Sequence, residues 1–144
     1  MKLGIASDHA GFEMKEELKR HLESEGHSVE DFGCYETESC DYPDYAQKLC
    51  KALLANTVER GVLVCGTGLG MSYAANRHKG IRAALCLNTY MAEMSRAHND
   101  ANVLVLGSRI TDSDTARDIL LVWMKTSFEG GRHLRRIRKI DGES

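Results

Sequence analysis

The sequence predicts an α/β fold: a five-stranded parallel sheet with helices on both of its faces. Three observations carry that expectation. Five short β-rich runs recur along the chain, an amphipathic helical stretch separates each consecutive pair, and polar or glycine-rich residues follow most of the runs. Parallel neighbours need long crossovers, and helices supply them on both sides of such a sheet. A chain of 144 residues can bury a core of its own, so one domain spanning 1–144 is expected.

The first strand is read at Leu3 to Ala6. The helix after it follows from Met14, Leu18 and Leu22, which repeat every four residues against a face of Lys and Glu. Ser28 to Phe32 is the second strand. A second helix opens at Pro43, a residue suited to a first turn, and carries Tyr45, Leu49, Ala52 and Leu53 as one stripe. Val62 to Cys65 makes the third strand, and Gly66-Thr67-Gly68-Leu69-Gly70 turns it into a third helix. Ile81 to Cys86 is the fourth strand, followed by a helix from about Thr89 to His98. Val103 to Leu106 is the fifth. Its helix opens at Thr111 or Ser113, buries Ala116, Ile119, Leu120 and Trp123, and is broken by Gly130-Gly131. In RHLRRIRKI, Leu134, Ile137 and Ile140 recur every third residue, which suggests a last helix docked on another surface, such as a second subunit.

Composition excludes several function classes. With 42% hydrophobic and 28% charged residues the chain has an ordinary globular balance, and one proline among thirteen glycines argues against long disordered linkers. A net charge of -2 offers no general attraction to nucleic acid or an acidic membrane. No apolar run approaches the roughly 20 residues needed to span a bilayer, and MKLGIASDHAG does not read as a signal peptide. Cysteines at 34, 40, 50, 65 and 86 are odd in number, form no CxxC pair and share no zinc spacing with histidine. Reduced thiols, a cytoplasmic setting and no metal are expected.

In doubly wound sheets ligands bind beyond the carboxyl ends of the strands. That rule selects Ser7-Asp8-His9, Gly33-Cys34, Cys65 to Gly70, Leu87-Asn88 and Gly107-Ser108-Arg109. The turn GTGLG lacks the GK[ST] ending of a P-loop and is not a full dinucleotide fingerprint. Its glycines nevertheless admit close backbone approach, and the amides opening the next helix favour an anion. Cys65 stands at the mouth of that turn, where helix amides favour a thiolate able to act as base or nucleophile. The competing reading is a small buried filler. Asp8 serves equally as a cap for the helix starting near Gly11, and His98 as a partner of a helix C-terminus. Five cations between Arg132 and Lys139 read either as a solvated face or as a phosphate clamp that Arg109 could join.

The motifs ASDHAGF at 6–12, DYPDYA at 41–46, CGTGLGMSYAANR at 65–77, GIRAALC at 80–86, SRAHNDANVLVLGSR at 95–109 and EGGRHLRRI at 129–137 together resemble the ribose-5-phosphate isomerase B family, in order and over nearly the whole chain. The resemblance implies a three-layer Rossmann-like α/β/α sandwich acting as a homodimer or dimer of dimers with interface sites. It implies interconversion of D-ribose 5-phosphate and D-ribulose 5-phosphate without metal or other cofactor. Cys65 would be the base that moves a proton between C2 and C1 through a cis-enediolate. Thr67 and the amides of Gly66, Gly68, Leu69 and Gly70 would hold the oxyanion. His98 would open the furanose ring with Asp8 and Thr67 assisting, His9, Arg109, Arg132 and Arg136 would hold phosphate, and Tyr42 and Asn99 would bind sugar. One branch of the family places a glutamate just after the glycine loop instead of the cysteine; Met71 stands there, which aligns this chain with the cysteine branch. Two alternatives are an allose or galactose 6-phosphate isomerase and a non-catalytic phosphosugar-binding module.

Overall fold

The structure is a computed structural model that describes residues 1–143; the last residue of the expected 1–144 domain lies outside the described residues. Among the described residues strands and helices alternate through α5 and a last helix follows: β1 Lys2–Ser7, α1 Phe12–Ser24, β2 Ser28–Asp31, α2 Tyr42–Leu54, β3 Arg60–Cys65, α3 Leu69–Asn76, β4 Ala83–Leu85, α4 Thr89–Ala97, β5 Val103–Gly107, α5 Ser113–Lys125 and α6 Arg132–Ile140. All five strands pair in parallel in the order β2-β1-β3-β5-β4.

Alternation along the inner strands sorts side chains into two cores. Leu3, Ile5, Val62, Val64, Leu104 and Leu106 face Leu18, Leu22, Ile119, Leu120 and Trp123 of α1 and α5. Leu63, Cys65, Val103 and Val105 face Leu49, Cys50, Leu53, Met71 and Ala75 of α2 and α3. Strands covered on both faces explain why these runs are almost wholly apolar. The expected three-layer α/β/α sandwich is thus observed.

Two elements, β4 and α5, are shorter than in the sequence reading. β4 is confined to Ala83–Leu85 because the Arg82 amide donates to Asn102 Oδ1 instead of a ladder carbonyl. On its outer side the Asn76 carboxamide exchanges two hydrogen bonds with the Ala83 main chain, which blunts an exposed sheet edge. α5 ends at Lys125, well before Gly130-Gly131, because Arg60 reaches the Trp123 and Met124 carbonyls and Thr126 turns extended.

The strand order fixes where a ligand crevice opens. From β1 the chain winds outward to β2, then returns to the other side of β1 for β3. The crevice beyond the carboxyl ends of β1 and β3 is the switch point at which such sheets bind ligands. Ser7-Asp8-His9 and Cys65 to Gly70 flank it.

Candidate active site

Cys65 is the last residue of β3 and is 5% exposed. Its Sγ accepts a hydrogen bond at 3.2 Å from the amide of Gly68, the residue that precedes α3. Gly68 has φ +85°, a left-handed conformation that lets the chain turn back over the sulfur. The turn therefore sets a backbone dipole against Sγ, and the first-turn amides of α3 have no partner within the helix. Thr67 is exposed, and its Oγ1 accepts from the Leu69 amide at 3.2 Å.

Neighbouring loops close around this turn. The Asp8 amide donates to the Val64 carbonyl, and Asp8 Oδ1 accepts from the Gly11 amide at 3.0 Å, so the carboxylate holds the β1–α1 turn. This is the capping role allowed by sequence, displaced by one position, since α1 itself begins at Phe12. The Arg109 amide donates to the Gly66 carbonyl at 2.9 Å, and its guanidinium lies where a Gly66 side chain would otherwise be. Tyr42, in the first turn of α2, packs its ring against Gly70; a Cβ there would meet Cε1 at 2.5 Å. His9 Nδ1 accepts from the Cys40 amide at 3.3 Å. Its neighbouring thiol had no place in the sequence reading of the site, because the loop from 33 to 41 has no periodicity to orient it. Behind the loop, the fully buried Lys15 ammonium binds Asp31 at 2.7 Å and the Cys34 carbonyl.

The remaining thiols differ in setting. Burial pushes Cys50 and Cys86 up to about 11, so they stay protonated and inert at neutral pH. Burial together with the neighbouring Cys34 also raises Cys40 above the ordinary thiol range.

His98 and Asn99 lie elsewhere. α4 starts beyond the carboxyl end of β4 and runs antiparallel to the strands, so its C-cap His98 reaches the amino edge of the sheet. There Arg82, immediately before β4, donates to the Asn99 and Asp100 carbonyls. α6 is tied to the same edge, because the Glu129 amide donates to the Ala97 carbonyl and Arg82 pairs with Asp141. His133 and Ile137 are buried, while Arg132 and Arg136 project into solvent. The His98 and His133 rings stack with centroids 4.3 Å apart. Desolvation, then the charges of His98 and Arg132, hold His133 below the ordinary imidazole range.

The fourteen residues singled out by sequence therefore form two groups. Asp8, His9, Tyr42, Cys65, Gly66, Thr67, Gly68, Leu69, Gly70 and Arg109 gather at the carboxyl edge, and His98, Asn99, Arg132 and Arg136 at the amino edge. At about 3.3 Å per residue the five residues of β5 alone separate the edges by roughly 16 Å. Within one protomer, Arg109 does not join the arginines of α6. Sequence reasoning missed Glu129 and His133 beside His98; their signal was the run EGGRH, which leads into the first turn of the last helix.

Comparison with known proteins gives the geometry a context. The model of the family described as Ribose/Galactose Isomerase matches residues 3–140. Ribose-5-phosphate isomerase B of Escherichia coli is 43% identical over 139 residues, covering 96% of this chain and 93% of that protein. A ribose-5-phosphate isomerase B structure from Clostridium thermocellum superimposes with a TM-score of 0.98 at 51% identity, covering 99% of this chain and 96% of the other. One from Thermotoga maritima, a ribose 5-phosphate isomerase, gives 0.96 at 55% identity, with coverage of 98% and 97%.

Proposed function

Because the chain belongs to the Ribose/Galactose Isomerase family, we propose that it interconverts D-ribose 5-phosphate and D-ribulose 5-phosphate, with Cys65 as the base at carbon and residues 1–144 as one catalytic domain. The observation that carries this reading is the sulfur at the switch-point crevice, held by the Gly68 amide at the mouth of a helix N-terminus. In the open-chain aldose, the Cys65 thiolate removes the C2 proton and the electron pair forms the C1–C2 double bond of an enediolate. The thiol returns the proton to C1 while the C2 hydroxyl proton passes to the C1 oxygen, so that the hydroxyl forms at C1 and the carbonyl at C2. No atom is gained or lost. Charge developing on the enediolate oxygens meets the amides of Gly66 to Gly70 and the Thr67 hydroxyl, donors fixed before the reaction starts.

Ring opening needs a proton removed from the anomeric hydroxyl and one delivered to the ring oxygen. His98 takes that role, with Asp8 and Thr67 assisting. One protomer cannot bring His98 to the sugar held at Cys65, since the two lie on opposite edges of the sheet. The active site is therefore composite: Cys65, Thr67, Asp8, His9, Tyr42 and Arg109 come from one protomer, and His98, Asn99, Arg132 and Arg136 from its partner in a homodimer or dimer of dimers. Exposed apolar residues support this docking on both sides. Leu69, Tyr73, Leu87, Tyr90 and Ile110 surround the carboxyl edge, while Leu134 and Ile140 lie on α6. Two exposed arginines four apart on that helix suit a phosphate arriving across the interface. Among the described residues no helix is long and apolar enough to cross a membrane.

Turnover of ribose 5-phosphate and allose 6-phosphate, both with EDTA present, tests the reading. Preference for the pentose supports it, preference for the hexose keeps the chemistry with a different substrate, and turnover of neither refutes it. Arg136→Ala is expected to raise KM for the phosphosugar with a smaller fall in kcat, since it removes binding felt equally before and during reaction. A collapse of kcat at constant KM would contradict a phosphate role.

A further inference from the structure

Around His98, at the amino edge of the sheet, one cluster combines nitrogen and oxygen donors in a ligand-like array. His98 Nε2 lies 3.8 Å and His133 Nε2 3.5 Å from the same oxygen of Glu129, and the ligand atoms of the three residues all fall within 4.8 Å of one another. Such separations are too long for good hydrogen bonds. They match instead the edges of a coordination tetrahedron, about 3.4 Å for donors bound 2.0–2.1 Å from zinc. Neither imidazole makes a hydrogen bond to another group among the described residues. The backbone that carries the cluster is already tied, with the Glu129 amide on the Ala97 carbonyl at 3.0 Å and the His133 amide on the Gly130 carbonyl at 3.2 Å.

We propose that His98, Glu129 and His133 form an inhibitory site for a divalent transition cation of the zinc class. Two imidazoles and one carboxylate are a donor set that zinc accepts with a fourth position left for water. The rings are stacked, with planes 11° apart, so their in-plane lone pairs run nearly parallel, and each ring turns about Cβ–Cγ for both to meet one ion beyond the ring edges. That torsion is broad and soft in histidine. Magnesium and calcium, which prefer oxygen, do not compete well for such donors. The inhibitory consequence rests on the role proposed above for His98: a lone pair bound to metal can no longer exchange the proton of ring opening. The existence of the site does not depend on that role.

The test uses cobalt as a spectroscopic substitute and zinc as the inhibitor, on the full wild-type chain and on Glu129→Gln. Glu129 is exposed, 58% by side chain, so its replacement leaves the fold in place, and zinc inhibition is read for each protein against its own zinc-free rate. The expected result is visible d–d absorption on adding cobalt, without near-ultraviolet thiolate-to-cobalt charge transfer, lost in Glu129→Gln and in His133→Gln. Zinc is expected to abolish ribose 5-phosphate turnover reversibly with EDTA, and Glu129→Gln to need at least about tenfold more zinc for the same inhibition. Magnesium at equal concentration has no effect. A cobalt spectrum dominated by thiolate charge transfer and unchanged in Glu129→Gln places the ion at Cys65 or Cys40 and overturns the proposal. So does equal zinc sensitivity of variant and wild type. A chain that binds cobalt through Glu129 but turns over no sugar phosphate keeps the site and refutes the isomerase reading instead.

Discussion

Cys65→Ala is expected to lower kcat for ribose 5-phosphate by about 10²- to 10⁴-fold, the usual size of a positioned proton-transfer group. The variant keeps its fold, because alanine differs from cysteine by one sulfur at a nearly buried position on a strand whose neighbours are unchanged. Cys65→Ser falls comparably: the hydroxyl occupies the same space and accepts the Gly68 amide, but it is far too weak an acid to supply an anionic base at neutral pH. Steady-state kinetics with a thermal melt as control reads both. Nearly intact turnover in either variant removes Cys65 from the chemistry and returns it to the role of core filler.

Gly107→Ala is the second large effect. Gly107 ends β5 directly beneath the glycine turn, and a Cβ there would stand 2.5 Å from the Thr67 carbonyl carbon, closer still to its oxygen. Both are backbone atoms, so the clash cannot be relieved by a rotamer change. The Thr67 segment must lift off the strand, and the hydrogen bonds that orient the turn, Ser108 amide to Cys65 carbonyl and Arg109 amide to Gly66 carbonyl, shift with it. A stability loss of about 1–3 kcal/mol is expected, with kcat falling more than KM rises because the amides proposed to hold the oxyanion move relative to the sulfur. Denaturant melts and kinetics together check this; a variant with wild-type stability and kcat would show that the turn tolerates displacement.

Local features of this fold were legible in the sequence. Cys65 and its turn could be located because strand, glycine turn and helix follow one another within fifteen residues, each with its own signature. α1 and the buried face of α5 could be read from spacing alone. The errors lie where long-range partners decide. α5 stops early because Arg60, on β3, takes its last carbonyls, and no glycine or proline marks that point. β4 is short because Asn102, twenty residues downstream, captures the Arg82 amide. The division of the site has the same origin. Motifs in sequence order do not say which edge of a sheet they reach, and His98 belongs to the amino edge only because α4 crosses back before β5. Glu129, His98 and His133 are likewise brought together by the docking of α6, a contact with no spacing rule in the sequence.

The split between Cys65 and His98 makes one measurement decisive. Cys65→Ala and His98→Asn are prepared separately, each with its own activity nearly lost, then mixed under conditions that exchange subunits. A mixed dimer holds one site with the intact thiol of one chain and the intact histidine of the other, so random exchange restores about a quarter of wild-type activity in a two-fold symmetric assembly. Recovery near that level is the result expected for a site built from two protomers. No recovery, with exchange verified by mass, would mean that thiol and histidine serve from the same chain or that one of them does not serve at all.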